Sequence, residues 1–315
     1  MRAARIYELG AEPRVEEVAD PEPADGREPL EVLAVALNPI DINIAAGRFY
    51  GGHPPLPYVP GSEGVVRRGG TRFHAFGDGL GIARDGALAQ RAALSEETLV
   101  EVPDGVDDAQ AVAFGIAGVV AWSAVKSRGK VGPDDRVLVL GATGAVGTIA
   151  LQAARLLGAE RVVAAGRDTA RLVRVAELGA DETVELDGGE DLAERLRSAA
   201  GGDGPTLIVD PLWGDGAVTA SEAAAPGARI VHLGQSAGPT AAFASAAVRG
   251  KELSILGLSN FARSRDERRA LYHELLEHVR SGEIRLDVET FPLEQVDAAW
   301  RRQAAGAKVV VTIPR

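Results

Sequence analysis

The chain of 315 residues contains no cysteine. This absence excludes disulfides, a thiol nucleophile and any zinc site held by cysteine. No apolar run approaches the ~18 residues that a membrane-spanning helix needs. The first ten residues carry charge and lack the apolar segment of a secretory signal. We therefore expect a cytoplasmic protein that does not enter a membrane.

Basic residues are outnumbered, 34 against 45 acidic ones, which gives a net charge of −11. A surface this acidic repels a phosphate backbone, so we expect no nucleic-acid partner. Apolar residues make up 46% of the chain and charged residues 25%, as in ordinary globular proteins. The length suits two domains of ~100–200 residues each.

The first third of the chain has the pattern of β-structure. Short apolar runs at residues 30–37 and 64–66 lie between clusters of proline and glycine. Residues 51–61 contain four prolines, which excludes a helix there. From about residue 103 the pattern changes, and residues 104–128 are predicted to be helical.

A regular alternation of strands and helices follows. Apolar runs of the β type recur every ~20–25 residues, with helical periodicity between them. This alternation predicts an α/β fold with a doubly wound parallel sheet, whose strands are covered on both faces. The six predicted strands cover residues 136–140, 161–165, 182–186, 206–210, 228–233 and 252–258.

The tail returns to a mixed pattern. Residues 264–267 form a capping box before a helix. Two strand-like runs follow, at residues 288–291 and 308–313. We place the domain boundaries near 118 and 260. Residues 119–260 are then a nucleotide-binding domain inserted into a β-rich domain of residues 1–118 and 261–315.

The strongest motif is the glycine-rich loop of residues 141–147. Gly141, Gly144 and Gly147 follow an apolar strand and open a helix. Such glycines permit a tight turn, close approach to a pyrophosphate and close helix–strand packing, while the helix N-terminus offers N–H groups to the anion. The motif predicts a dinucleotide site that also includes the intervening Thr143, Ala145 and Val146.

The end of the next strand bears on the choice of cofactor. An NAD site usually places an acidic residue there, whereas this chain has Gly166, with Arg167 next and Arg171 a helical turn later. The small residue leaves room for a 2′-phosphate, and arginine pairs well with it. These residues favour NADPH. Asp168 is suited either to a ribose or to the cap of the following helix.

Residues 36–66 form a turn-rich segment with several polar side chains, and such loops often carry function. By itself the segment indicates no particular reaction. Asn38 and Tyr50 are hydrogen-bond donors, and Asp41 is suited to capping a turn. Later in the sequence, Leu233 and Gly234 end a predicted strand, and Asn260 follows the last predicted strand. Because ligands bind outside the carboxyl ends of parallel strands, we expect these three residues to line the nicotinamide pocket.

With these motifs together, the chain resembles the medium-chain dehydrogenase/reductase superfamily, and within it the zinc-free quinone oxidoreductase branch that includes zeta-crystallin. The resemblance spans essentially the whole chain. It rests on NPxDxN at 38–43, GxxY and LPxxPGxEG before residue 65, and GATGAVG at 141–147. It also rests on AELGADE at 176–182, VDPLWG at 209–214 and AGAKVVVTI at 305–313.

The resemblance implies a Rossmann domain inserted into a GroES-like catalytic domain. It also implies that zinc is absent, because Pro39 and Ser62 stand where zinc-dependent relatives carry a cysteine and a histidine. The implied reaction is hydride transfer from NADPH to a quinone or similar conjugated carbonyl, with a homodimer formed through the last Rossmann strand. Asn38 and Tyr50 match donors near the nicotinamide, and Asp41 orients the loop. An ungapped alignment puts Phe49 in the tyrosine position instead.

Two departures from the family pattern bear on the substrate. Asn43 replaces a second tyrosine, and Val120 replaces a threonine that usually contacts the nicotinamide ribose. The loop YGGHPPLP at residues 50–57 favours an alternative, an NADPH-dependent reductase of 2-enals, enones or enoyl thioesters. A protein of another class, a non-catalytic NADPH-binding sensor or structural protein, is the third reading. Four of the five histidines, His74, His232, His273 and His278, are expected to be ordinary surface or core residues, and His53 lies in the active-site loop.

Overall fold

A computed structural model describes residues 1–314, which form fifteen strands and ten α-helices. The strands are β1 (Arg2–Arg5), β2 (Arg14–Glu17), β3 (Arg27–Leu37), β4 (Glu63–Arg68), β5 (Thr71–Phe76), β6 (Arg91–Ser95), β7 (Leu99–Glu101), β8 (Arg136–Leu140), β9 (Arg161–Gly166), β10 (Glu182–Glu185), β11 (Leu207–Asp210), β12 (Arg229–His232), β13 (Ser254–Gly257), β14 (Glu289–Pro292) and β15 (Val309–Thr312). The helices are α1 (Pro39–Ala45), α2 (Asp108–Ala113), α3 (Ile116–Ser123), α4 (Ala145–Leu156), α5 (Thr169–Ala176), α6 (Leu192–Ala200), α7 (Gly214–Ala223), α8 (Ser245–Gly250), α9 (Arg265–Arg280) and α10 (Val296–Ala304).

The chain divides into two compact units. The first comprises Met1–Ala117, Phe261–Arg280 and the residues from Asp287 onward, and the second comprises Gly118–Asn260 and Ser281–Leu286. Besides the divisions at 117/118 and 260/261, the short segment Ser281–Leu286 also belongs to the second unit. Its Arg285 exchanges two hydrogen bonds with the side-chain amide of Gln152 on α4, which attaches the segment to the second unit.

The second unit contains a six-stranded parallel sheet in the order β10-β9-β8-β11-β12-β13. This is the doubly wound arrangement that the alternating pattern predicts, and the order reverses between β8 and β11. Val137 to Leu140 in β8 and Leu207 to Val209 in β11 are fully buried. Such continuous burial is what a strand covered on both faces requires.

The first unit is built on a seven-stranded sheet in the order β14-β15-β3-β4-β5-β7, with β6 also pairing with β3. Its neighbours are antiparallel except for the parallel pair β14–β15. The long strand β3 pairs with β15, β4 and β6 and so joins distant parts of the chain. One core cluster joins these strands to α10 through side chains such as Leu37, Val311 and Trp300. The β-rich, GroES-like expectation for this unit agrees with the sheet.

The helix caps follow the sequence signals. Glu267 accepts hydrogen bonds from the backbone N–H and the hydroxyl of Ser264 at 2.9 Å, and the hydroxyl accepts from the Glu267 N–H, so the predicted capping box opens α9. Gly179 and Gly282 have positive φ after α5 and α9. Among the residues described here, no helix is both long and apolar enough to cross a membrane.

Candidate active site

The glycine-rich loop of the second unit connects β8 to α4. Gly141 has a φ of +59°, and a Cβ on Gly147 would lie 2.3 Å from the Gly141 carbonyl oxygen. Only glycine fits at Gly147, because the helix passes directly over the turn. A Cβ on Gly144 would meet nothing closer than 3.5 Å. The first turn of α4 therefore begins at a half-exposed loop of Thr143, Gly144, Ala145 and Val146.

The N-terminus of α4 suits an anion. The N–H groups of a first helical turn have no partner within the helix and carry the positive end of its dipole. α4 is twelve residues long, and its N-cap residue Gly144 has no side chain that would occupy those groups. These features fit a pyrophosphate at the predicted place.

The end of β9 presents a small residue and two arginines. Gly166 is buried, and a Cβ there would approach the Thr143 side chain to 3.1 Å. Arg167 is exposed, and it forms no ion pair within residues 1–314. Asp168 caps α5 by accepting from the Arg171 N–H at 3.0 Å, and it also pairs with the Arg171 guanidinium at 3.3 Å. Of the two roles open to Asp168 in the sequence, the structure has the cap.

The loops after β11 and β12 pack against each other at the same edge of the sheet. The Leu233 N–H donates to the Asp210 carbonyl, and a Cβ on Gly234 would lie 2.5 Å from the Pro211 oxygen. Asn260 is buried at the start of a short 3₁₀ turn after β13. The residues predicted for the cofactor, from Gly141 to Asn260, thus all belong to or border the carboxyl ends of parallel strands.

In the first unit, Asn38 lies in a buried polar cluster. Its Nδ2 donates to Glu63 Oε1 at 2.7 Å and to the Ala36 carbonyl at 3.3 Å, and its Oδ1 accepts from Lys308 Nζ at 2.8 Å. Asn38 is 3% exposed. Both amide hydrogens are therefore engaged within the protein, and in this conformation neither is free to donate to a substrate.

Glu63 is the centre of the cluster and is fully buried. Its Oε2 accepts from the Ile116 N–H at 2.7 Å and contacts His74 Nε2 at 2.8 Å, while Lys308 Nζ lies 3.9 Å from Oε1. Burial raises the pKa of Glu63, but His74, Lys308 and Asn38 outweigh it and hold the pKa below its usual value. The pKa of Lys308 is lowered by its own burial, against the attraction of Glu63 and Asp41.

The cluster is closed tightly on the side of Gly115. A Cβ there would lie 2.1 Å from Glu63 Oε2 and 2.3 Å from His74 Nε2. On the other side the Tyr272 ring stacks on His74 with centroids 5.0 Å apart, and its hydroxyl donates to the Ala111 carbonyl. The spacing of residues along the chain does not predict this cluster. The one sign of it in the sequence is a lysine, Lys308, next to an apolar run.

Asp41 lies in α1 and is 1% exposed. Its two oxygens accept from the backbone N–H groups of Asn38 at 2.8 Å and Ser62 at 2.9 Å. Burial raises the pKa of Asp41 to about 6, although these two hydrogen bonds oppose the shift. The carboxyl group thus ties the start of α1 to the chain just before β4.

Tyr50 is placed very differently from Asn38 and Asp41. It is 83% exposed, and its ring lies 4.5 Å from that of Phe49, which packs against the core. The Tyr50 hydroxyl is thus an accessible donor of the loop. His53 Nδ1 lies 2.7 Å from the carbonyl oxygen of Pro54.

The donors needed for zinc do not fit here. Pro39 and Ser62 stand where the resemblance implies two zinc ligands in zinc-dependent relatives. The Glu63 oxygens are bonded to Asn38, His74 and Ile116. Within the described part of the chain, no group of three or more His, Asp or Glu side chains is arranged to hold a metal ion.

The family described as "Zinc-binding dehydrogenase" matches residues 145–277. A crystallised quinone oxidoreductase from Thermus thermophilus, studied also as its complex with NADPH, is 29% identical with a TM-score of 0.81, over 99% of this chain and 100% of that one.

Curated relatives include human quinone oxidoreductase, 28% identical over 95% of this chain and 92% of its own length. A polyketide synthase subunit of Mycobacterium tuberculosis is 29% identical over 96% of this chain. The chain spans only 14% of the length of that subunit. Together with the fold and the glycine-rich loop, these matches show that the chain is similar to quinone oxidoreductases and that it shares the fold of the crystallised one.

Proposed function

We propose that the protein is an NADPH-dependent, zinc-independent reductase of quinones or similar conjugated carbonyls. The observation that carries the proposal is the pairing of an open helix N-terminus at α4 with Gly166 and the exposed Arg167 at the end of β9. The likeness to quinone oxidoreductases supports the choice of acceptor.

NADPH would supply a hydride from C4 of its nicotinamide ring. In this proposal the first turn of α4 holds the pyrophosphate, and Arg167 and Arg171 hold the 2′-phosphate. Leu233, Gly234 and Asn260 line the nicotinamide side. The Tyr50 hydroxyl donates a hydrogen bond to the carbonyl oxygen of the acceptor, where negative charge develops. Asn38 and Asp41 are positioning residues that hold the loop leading to Tyr50.

The activity is tested by following NADPH oxidation at 340 nm with 1,4-benzoquinone, 9,10-phenanthrenequinone and trans-2-hexenal. NADH is run in parallel, and a chelator serves as the metal control. We expect turnover of a quinone with NADPH that the chelator does not change. Binding of NADPH with no turnover of any acceptor would contradict the proposal and favour the non-catalytic sensor or structural protein.

The cofactor preference is tested with the double variant R167A/R171A. We expect NADPH affinity to fall by about 10- to 100-fold, because two charge-assisted contacts to the 2′-phosphate are lost, while NADH affinity stays unchanged. R174A is the matched control, since Arg174 is an exposed arginine on the same helix. Equal losses for both cofactors would exclude a role in recognising the phosphate.

A second candidate is the reduction of a 2-enal, an enone or an enoyl thioester. The likeness to a polyketide synthase subunit favours it. The same assay separates the two candidates when an enoyl thioester is added to the acceptors. Preference for trans-2-hexenal or the thioester over both quinones would replace the first candidate with the second.

A further inference from the structure

Two buried polar atoms face each other at the carboxyl edge of the parallel sheet. Asp210 ends β11 and His232 ends β12, and the two residues are register partners. Asp210 Oδ2 and His232 Nδ1 are 3.9 Å apart. Both atoms are buried, and neither forms a hydrogen bond within residues 1–314. A small rotation of the imidazole would bring them to the ~3 Å of a hydrogen bond.

The surroundings fix the pair in place. Asp210 is fully buried, and its Oδ1 accepts from the N–H groups of Leu212 and Trp213 at 2.9 Å. The Trp213 ring lies over the His232 ring, with centroids 3.9 Å apart. Trp213 itself has φ 60° and ψ −158°, a conformation that is rare outside glycine. Such strain persists only where the surrounding structure holds it, and it is often found at functional sites.

Hydrogen bonds join the loop that follows β11 to the loop that follows β12. The Ala237 N–H donates to the Leu212 carbonyl at 2.8 Å, and the Ser236 hydroxyl donates to the Pro211 carbonyl at 3.2 Å. These contacts, with the close approach of Gly234 to Pro211, hold the ends of β11 and β12 as one surface. That surface borders the point where the strand order reverses, on the opposite side from Gly166 and Arg167.

The ring of His232 has one buried and one accessible side. Its side chain is 29% exposed although Nδ1 is buried, so the exposure lies on the other side-chain atoms. If Nδ1 carries the proton and donates it to Asp210 Oδ2, the Nε2 lone pair is left as an acceptor. Burial lowers the pKa of His232 more than Asp210 raises it, which favours the neutral ring.

We propose that His232, oriented by Asp210, accepts a hydrogen bond from a hydroxyl or amide donor in the nicotinamide half of the cofactor. This inference rests on the proposed function, which puts the phosphate-binding residues at β8 and β9 and so leaves β11 and β12 for the other half. His232 is then a binding residue, and Asp210 is a positioning residue that selects its tautomer.

The test compares two ligands, NADPH and 2′,5′-ADP, which lacks the nicotinamide half. We expect H232L to weaken NADPH binding by about tenfold, as for one lost hydrogen bond, and to leave 2′,5′-ADP within about twofold. H232Q, which restores an acceptor, is expected to recover most of the affinity. Unchanged NADPH affinity in H232L, or an equal loss for both ligands, would overturn the inference.

A second measurement does not depend on a variant that folds poorly. The ¹⁵N shifts of His232 in the wild-type protein are expected to report the Nδ1–H tautomer, and in D210N the Nε2–H tautomer. A wild-type ring protonated at Nε2 would refute the orienting role of Asp210. A wild-type protein that binds neither nucleotide would overturn the proposed function and this inference with it, whereas binding of 2′,5′-ADP by all variants keeps the two questions separate.

Discussion

Lys308 lies in a buried cluster, and its loss removes the ammonium group that lies 3.9 Å from Glu63 Oε1. Removing one member of a buried ion pair commonly costs 3–5 kcal/mol, because the other charge stays desolvated. We expect K308M to lower the free energy of unfolding by about that amount, measured by urea denaturation. The double variant E63Q/K308M should lose less than the sum of the two single variants.

The matched control is an exposed ion pair of the same unit, Arg302 with Glu289. Because water and salt screen such pairs, R302A should change stability little. If K308M were as mild as R302A, the cluster would have no special role in holding the first unit together.

Asp41 gives a pH dependence of known sign. Its pKa is about 6 in the folded protein, against 3.8 ordinarily, so the folded state favours the protonated form. The stabilisation is complete below pH 4 and is lost as pH rises through 6. The shift corresponds to about 3 kcal/mol. We expect the unfolding free energy of the wild type, relative to D41N, to fall by about this amount between pH 4 and 7. A difference that stays flat across this range would show that burial does not perturb Asp41.

At the scale of the element, the turn between β8 and α4 depends on one glycine for packing. A Cβ at Gly147 would meet the Gly141 oxygen at 2.3 Å and the Ala142 Cα at 2.6 Å. Both are backbone atoms, so neither can move away without shifting the turn. We expect G147A to cost about 1–3 kcal/mol of stability. G144A is the control, with an expected cost below about 1 kcal/mol. Thermal denaturation of both variants measures the difference, and equal midpoints would contradict the packing argument.

The elements themselves were largely predictable from the sequence. The six parallel strands lie within one or two residues of the apolar runs that predicted them. The central strands β8 and β11 are covered on both faces as expected. The edge strands β10 and β13 are instead mostly exposed, because each has a neighbouring strand on one side only. The sequence predicts helix over residues 104–128, and the structure divides this segment between α2, α3 and a π-helical turn. Gly115 lies at that break, where its missing side chain makes room for Glu63 and His74.

The parts of the candidate site that lie close together in the sequence were predictable, and the parts that join distant residues were not. The glycine-rich loop and the Gly166–Arg171 segment are local motifs, so their chemistry is readable from spacing. The contact of Lys308 with Asn38 joins residues 270 positions apart, and the facing atoms of Asp210 and His232 depend on strand register. No local pattern encodes such pairings, because sheet order decides them.

At the scale of the whole molecule, we expect a homodimer in which the edge strand β13 pairs with its copy. It ends the order of the parallel sheet, and Ile255 on it is 40% exposed. An open apolar edge favours pairing with a second copy. We expect sedimentation to give a dimer for the wild type and a monomer for I255K. V173K, at a 66% exposed valine of the same unit, should stay dimeric. A wild-type monomer would refute the dimer.

The attachment of Ser281–Leu286 to Gln152 has a consequence for how the protein can be dissected. The second unit is not a continuous stretch of chain, because α9 and β14 on either side of this segment belong to the first unit. A fragment of residues 118–260 would lose two of the three hydrogen bonds of the buried Gln152 amide and keep only the one to the Thr148 carbonyl. Neither unit can therefore be excised at two cuts with all its hydrogen bonds intact, and a nucleotide-binding fragment made for study should carry residues 281–286 on an added linker.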